Sequence, residues 1–174
     1  MKKNIFYLVL LLFFTFIFSV FYIGLDKPNF YTPKEVKNKS FEEFTSTELF
    51  SNEQVNSNYI IDNNEFTLVN IWSSWCVPCR LEHSVLMDLS KKTNLNIVGL
   101  NYKDKKNNAI KFLNELGNPF SKILTDPDGI ISISLGAYGV PETFLLNNNS
   151  KVIRKYIGPL TDDNILEIIK ITKS

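Results

Sequence analysis

Two cysteines, Cys76 and Cys79, are the residues of this sequence best suited to chemistry. They are the only cysteines among 174 residues, and two residues, Val77 and Pro78, separate them. Disulfide frameworks of small exported domains normally use four or more cysteines, and a bridge that closes so short a loop restricts the unfolded chain very little. The pair therefore indicates redox chemistry, in which a Cys76–Cys79 disulfide opens and closes.

The segments around the pair predict different roles for the two thiols. A strand-like run at residues 67–72 leads directly into the motif, and a helical pattern follows it. At the start of that helix, Cys76 would face unpaired backbone N–H groups and the positive end of the helix dipole, both of which favour a thiolate. We predict that Cys76, the more exposed of the two, exchanges first with a client disulfide. Cys79, in the first turn, would resolve the mixed disulfide.

A Cys-x-x-Cys pair has other known uses, which residue types alone do not exclude. A structural disulfide across two residues is uncommon. A zinc site needs four ligands, and the single histidine, His83, follows Cys79 on the same predicted helix. A copper metallochaperone would bring a second sulfur- or nitrogen-rich group, yet no Cys or His follows residue 83. We expect no metal and no cofactor other than the redox-active disulfide.

The apolar pattern predicts alternating strands and helices. The expected elements are a strand at 67–72, a helix after Cys79, a strand at 96–102, a helix at 105–116, a short strand at 123–125, a hairpin of 143–146 with 152–157, and a last helix capped by Thr161. In the helix after Cys79, Leu81, Val85, Leu86 and Leu89 have the spacing of one buried stripe. This order describes an α/β fold with a mixed central sheet flanked by helices.

The N-terminus predicts a membrane segment. Residues 5–23 are almost wholly apolar, close to the roughly 20 residues that a helix needs to span a bilayer. Lys2 and Lys3 precede this run, which predicts a cytoplasmic N-terminus and an exported domain. A cleaved signal peptide begins in the same way, but no Ala-x-Ala-like site follows the run. We predict a cytoplasmic tip and transmembrane anchor at 1–25, a linker at 26–40 and a domain at 41–174.

The charge balance excludes one class of partner. All 18 acidic residues and all but two of the 19 basic residues lie after residue 25, so the domain is nearly neutral. A nearly neutral domain has no electrostatic footprint for a polyanion. We therefore expect no nucleic acid partner.

Further motifs narrow the class of protein to which this sequence is similar. The sequence resembles thioredoxin-like proteins, and more narrowly the CcmG/DsbE proteins of cytochrome c maturation, over roughly residues 41–169. Asn-Tyr-Lys-Asp at 101–104 and Gly-Val-Pro-Glu-Thr-Phe at 139–144 are much more specific than the Cys-x-x-Cys alone. The resemblance also includes residues 70–83, 116–120, 126–129 and 154–158.

This resemblance implies a thioredoxin-like domain in the periplasm, behind a single-pass anchor in the inner membrane. It implies a protein disulfide reductase that keeps the cysteines of apocytochrome c, or of a CcmH-like thiol protein, reduced for haem attachment. A membrane thiol reductase of the DsbD or CcdA kind would supply electrons, because a reductant in an oxidising compartment must be recharged across the membrane.

The resemblance also implies the remaining site residues. General thioredoxins carry a buried Asp where this chain has Asn70, so the carboxylate that handles protons must come from elsewhere. The resemblance points to Glu82 and Glu142, expected near the disulfide, where their charge would raise the pKa of the Cys76 thiol.

The client-binding residues implied by the resemblance are Trp75, Val140 and Pro141. Val140–Pro141 would be a cis peptide bond facing the cysteines, with the Val140 backbone open to an extended client segment.

Three rival functions are open at this level. The first is a TlpA/ResA-like reductase with another exported client. The second is a peroxiredoxin-like peroxidase, which would want Thr three residues before the reactive cysteine, where this chain has Ser73. The third is a non-enzymatic docking module, which would tolerate Cys76→Ser.

Overall fold

The computed structural model describes residues 2–25, 39–61 and 64–173. The N-terminal helix and the domain are separate units and are described separately. Helix α1 spans Lys2–Leu25, and its segment Lys3–Tyr22 is long and apolar enough to cross a membrane. A signal sequence meets the same criteria, so α1 fits both interpretations of the N-terminus. Of the predicted linker, residues 26–38 lie outside the described residues.

The domain alternates strands and helices as the sequence predicts. In chain order its elements are β1 (Thr45–Thr47), β2 (Gln54–Asn56), α2 (Ser57–Ile61), β3 (Phe66–Trp72), α3 (Val77–Lys92), β4 (Asn96–Tyr102), α4 (Lys106–Leu116), β5 (Lys122–Asp126), α5 (Ile130–Ser134), β6 (Glu142–Asn147), β7 (Val152–Ile157) and α6 (Asp162–Thr172). Five strands form one mixed sheet in the order β5-β4-β3-β6-β7. Strands β3, β4 and β5 are parallel, whereas β6 and β7 run antiparallel to their neighbours. The predicted thioredoxin-like α/β fold is confirmed.

Strand β3 is central and ends four residues before Cys76. Successive strand residues point to opposite faces of a sheet. Leu68 and Trp72 pack in one core cluster with residues of α3 and α4, while Val69 and Ile71 pack in a second cluster on the other face. Asn70 lies between Leu68 and Trp72, two residues from each, so it points to the same face of the sheet and towards α3. The sheet thus brings Asn70 beneath the helix that carries the cysteines.

Capping residues fix the helix ends nearest the site. Cys76 is the N-cap of α3, and Pro78 lies in its first turn, where a missing N–H costs little. Thr161 caps α6 and forms a reciprocal capping box with Asn164, which confirms the predicted N-cap.

Two parts of the domain differ from expectation. Leu81 is 71% exposed, so its place in the buried stripe of α3 was wrong; the buried face consists of Cys79, Glu82, His83, Leu86 and Leu89. Polar residues occupy that face because each finds a hydrogen-bond partner there, which an apolar pattern does not reveal. The sequence also gave no prediction for β1, β2, α2 and α5. The β1 region lies along β5, where Ser46 Oγ donates to Thr125 O at 2.6 Å.

Candidate active site

The two cysteines form a disulfide at the start of α3. Their sulfur atoms are 2.06 Å apart. Cys76 Sγ also accepts a hydrogen bond from the backbone N–H of Cys79 at 3.1 Å, so the sulfur occupies the capping position of the helix. The N–H groups of a helix start stabilise negative charge. The geometry therefore favours the thiolate of Cys76 when the pair is reduced.

Both cysteines of the disulfide are buried. Cys76 is 4% exposed and Cys79 is 2% exposed. Cys76 is the more exposed residue, as expected, but the difference is too small for exposure alone to distinguish their roles. The assignment of Cys76 as the first thiol rests instead on its capping position.

Glu82 is buried one helical turn beyond Cys79. Its Oε1 accepts from Asn70 Nδ2 at 2.9 Å, and its Oε2 accepts from the backbone N–H of Leu160 at 2.8 Å. Asn70 Nδ2 also donates to Thr143 Oγ1 at 2.9 Å, directly across the β3–β6 ladder. Burial raises the pKa of Glu82, and the two hydrogen bonds offset this only in part. A buried carboxyl group with a raised pKa is suited to exchanging a proton near a thiol.

Glu142 has a different environment. It precedes Thr143 in β6 and points to the opposite face of the sheet, with Phe144 and Leu146. Its Oε2 lies 2.8 Å from Lys155 Nζ, and the two side chains are only 1% and 6% exposed. Its Oε1 accepts from the backbone N–H groups of Tyr138 and Gly139. Glu82 and Glu142 therefore do not form one acidic cluster, and the charge of Glu142 is balanced.

Trp75 projects beside the disulfide and is 57% exposed. Its indole N–H donates to the carbonyl of Lys103 at 3.0 Å, so the ring is held although it faces solvent. Asp104 fastens the same loop, because its carboxylate accepts from Ser74 N at 2.6 Å and from Ser74 Oγ at 2.8 Å. In the sequence Asp104 stands out only as part of the Asn-Tyr-Lys-Asp motif, because its partner Ser74 is 30 residues away.

Val140 and Pro141 complete the rim of the site. The bond between them is cis, as the resemblance implied. Val140 is half-buried and packs against the core cluster that contains both cysteines. The β3–β6 ladder ends at the pair Ile71–Glu142, so Val140 lies beyond its last rung.

Aromatic residues support α3 from below. His83 lies edge-on to Phe112, with 4.9 Å between ring centroids, and its Nε2 is 2.9 Å from the carbonyl of Gly117. Gly99 leaves room for the stacked rings of Trp72 and Phe120, because a Cβ there would lie 2.8 Å from Trp72 Nε1. Burial lowers the pKa of His83. Among the described residues, no three His, Cys, Asp or Glu side chains come together as a metal site.

Comparison with known proteins agrees with this geometry. The Redoxin family model matches residues 37–169. A probable thiol:disulfide interchange protein, DsbE-2 of Pasteurella multocida, is 34% identical over 162 residues, covering 93% of this chain and 85% of the relative. CycY of Rhizobium leguminosarum, another thiol:disulfide interchange protein, is 48% identical over 103 residues, or 59% of this chain and 55% of the relative. DsbE of Escherichia coli K12 is 45% identical over 93 residues, which make up 50% of its length.

Solved structures establish the same fold. A DsbF homologue from Corynebacterium diphtheriae has a TM-score of 0.68 at 23% identity, with 83% of this chain and 96% of that chain aligned. A structure from Chlorobium tepidum assigned as DsbE has a TM-score of 0.65 at 24% identity, with 79% and 96% aligned.

The fold and the disulfide at the start of α3 define a thiol:disulfide oxidoreductase domain of the thioredoxin superfamily. The chain belongs to the Redoxin family, and its relatives are thiol:disulfide interchange proteins of the DsbE type. For CycY and for DsbE of Escherichia coli, the matched region spans about half of the relative's length.

Proposed function

We propose that this protein is a membrane-anchored reductant that acts outside the cytoplasm, in the periplasm of a bacterium with an inner membrane. Its client is the disulfide of apocytochrome c, or of a CcmH-like thiol protein that serves apocytochrome c. A DsbD- or CcdA-like membrane protein returns it to the dithiol form. The observation that carries the proposal is the Cys76–Cys79 pair at the start of α3 in a chain so similar to DsbE-type proteins.

The chemistry proceeds in two exchanges. The Cys76 thiolate attacks one sulfur of the client disulfide, which forms a mixed disulfide and releases the other client sulfur as a thiolate. Cys79 then loses its proton to Glu82 and attacks Cys76 Sγ, releasing the second client thiolate. Two electrons pass from the protein to the client, and the disulfide seen in this structure is the product. The upstream reductase reverses the exchange.

Glu82 suits the second exchange for a physical reason. Cys79 is buried, and a buried thiol resists ionisation. Glu82 lies on the same buried face of α3, one turn away, and burial raises its pKa toward the range useful for proton exchange. We propose Glu82 as the proton acceptor of Cys79.

Trp75, Val140 and Pro141 form the proposed client-binding rim. Trp75 presents an exposed ring held by Lys103, and Val140 lies beyond the last ladder pair of β6. An extended peptide added beside Val140 would place its disulfide next to the cysteines.

The test is substrate preference. The reduced full-length chain in detergent micelles is mixed with one of two oxidised peptides of equal length and charge. One carries Cys-x-x-Cys-His, the haem-attachment pattern, and the other carries Cys-x-x-Cys in an unrelated context. We expect the haem-attachment peptide to be reduced at least about tenfold faster, equivalent to about 1.4 kcal/mol of differential transition-state binding.

Cys76→Ser is the control and should reduce neither peptide. Equal rates with the two peptides would remove apocytochrome c as the direct client and favour another exported client of the TlpA/ResA kind. Turnover of hydrogen peroxide in the same preparation would favour the peroxidase alternative.

A further inference from the structure

Lys155 is a buried cation that the chemistry described so far does not use. It lies in β7 opposite Phe144 of β6, and its side chain is 6% exposed. Lysine is almost never buried this deeply unless it is paired, because removing an ammonium group from water is costly. The groups that contact Lys155 therefore indicate its role.

The Lys155 ammonium group is surrounded by polar and aromatic groups. Nζ lies 2.8 Å from Glu142 Oε2 and donates to the carbonyl of Gly136, also at 2.8 Å. The same nitrogen is 4.3 Å from the centroid of the Tyr138 ring, within cation–π distance. The Phe144 ring centroid is 5.3 Å from the same nitrogen, so a carboxylate, a carbonyl and two aromatic rings surround the charge.

These contacts converge on one loop. Lys155 binds the carbonyl of Gly136, while Glu142 accepts from the N–H groups of Tyr138 at 2.6 Å and of Gly139 at 2.9 Å. The next residue, Val140, packs against the cluster that contains the two cysteines. The ion pair therefore fastens residues 136–139 to β6 and β7, immediately before the rim of the disulfide.

A buried ion pair is a poor device for stability alone. Desolvation of two charges offsets much of their attraction, and replacing such a pair by apolar residues is often neutral or stabilising. What a buried pair with such contacts supplies is a defined geometry, since each charge loses its partners if the loop moves. This favours a role in positioning.

We propose that Lys155 is a positioning residue for client recognition, which holds the loop 136–140 in the shape that presents Val140 to the client. The inference rests on the proposed function in one respect, that this loop binds the client. Lys155 lies outside the cysteine motif, and in this role it determines how well a peptide client binds without altering the chemistry of the disulfide.

The test compares Lys155→Met, Glu142→Gln and the double variant Glu142→Gln/Lys155→Met in the full-length chain. Arg154→Met is the control, because Arg154 is the neighbouring residue in β7 and pairs with Glu167 on the other side of the strand. Each variant is assayed with a small aromatic disulfide reagent and with whichever oxidised peptide the wild type reduces faster. Hydrogen exchange at the Tyr138 and Gly139 amides reports the order of the loop without any client.

We expect Lys155→Met to raise KM for the peptide about tenfold and to accelerate exchange at both amides about tenfold. The rate with the small reagent should stay within about twofold of wild type. Lys155→Met leaves the Glu142 carboxylate buried without its cation, so its unfolding midpoint should fall. The double variant removes both buried charges, and we expect its unfolding midpoint to return toward that of wild type while its peptide KM stays high. Arg154→Met should change neither KM nor exchange at the two amides.

Two results would overturn the proposal. One is a double variant whose peptide KM recovers together with its stability, because Lys155 would then serve folding only. The other is an equal loss with the peptide and the small reagent, because Lys155 would then act on the disulfide itself. If Lys155→Met does not fold, the double variant decides between these outcomes. A wild type without preference for the haem-attachment peptide contradicts the proposed client but leaves this comparison intact.

Discussion

Asn70 donates a hydrogen bond to Glu82 beneath the cysteine helix, with 2.9 Å between Nδ2 and Oε1. Both residues are at most 2% exposed. The helix thus supplies the buried carboxyl group, and the amide of the strand residue holds it in place.

The first prediction is that Glu82→Gln slows closure of the Cys76–Cys79 disulfide by about 100-fold, a typical contribution of a general base. The first exchange, at Cys76, should be nearly unchanged, because the capping position and not Glu82 stabilises its thiolate. Rapid-mixing measurements of formation and breakdown of the mixed disulfide separate the two steps. Asp88→Asn, an exposed carboxylate on the same helix, is the control. Equal slowing of both steps would contradict the assignment.

The second prediction concerns acid stability. Burial and the nearby Arg80 lower the pKa of His83 below its ordinary value of 6.5, against a hydrogen bond to Gly117 that acts in the opposite direction. The unfolded chain then binds more protons than the native protein between the lowered pKa and 6.5. The free energy of unfolding should fall as the pH drops through that window.

The measurement is denaturant unfolding of wild type and of His83→Gln across this range. The glutamine amide can still donate to Gly117, but it does not titrate. The difference in unfolding free energy between the two proteins should therefore shift in favour of the variant as the pH falls. A difference that does not vary with pH would show that His83 does not contribute to acid lability.

The third prediction concerns Asp104, which fixes the loop before Cys76 through Ser74. Asp104→Ala removes the acceptor of four hydrogen bonds, two from Ser74, one from the backbone N–H of Lys105 and one from the Asn101 amide. We expect reduction of both a peptide and a small disulfide to slow about tenfold, since about 1.4 kcal/mol of lost positioning changes a rate by that factor. Asp104→Asn keeps an acceptor for Ser74 N and should recover most of the rate. Failure of Asn to improve on Ala would contradict a positioning role.

The fourth prediction concerns the N-terminal helix. If α1 is an uncleaved anchor, the full-length chain stays in the membrane pellet after a carbonate wash. The expectation follows from Lys2 and Lys3 ahead of a run long enough to span a bilayer. Recovery of a shortened soluble form would support the signal-peptide interpretation instead.

Much of the fold could be predicted from the sequence, because the signals were local. The bounds of β4 follow from a compact apolar run, and those of β7 from apolar residues on both sides of Arg154 and Lys155. Thr161 with the acidic residues after it marks the start of α6. The cysteine pair and its place at a strand-to-helix junction were visible for the same reason.

The errors arose where the decisive partner is distant in sequence. Leu81 has the spacing of a core residue, yet Glu82 faces inward because Asn70 and Leu160 satisfy its carboxylate. Lys155 was not identified because its contacts depend on the β6–β7 register, which places it opposite Phe144 and near Glu142. Neither arrangement can be read from apolar periodicity.

The central claim is that Cys76 exchanges with the client and Cys79 resolves the complex. The most direct measurement uses Cys79→Ser and Cys76→Ser in the full-length chain, each reacted with an oxidised Cys-x-x-Cys-His peptide and separated without reductant. Mass spectrometry then locates any peptide bound through a disulfide. The account predicts a stable adduct at Cys76 in Cys79→Ser and none in Cys76→Ser. An adduct that accumulates only at Cys79, in Cys76→Ser, would contradict it.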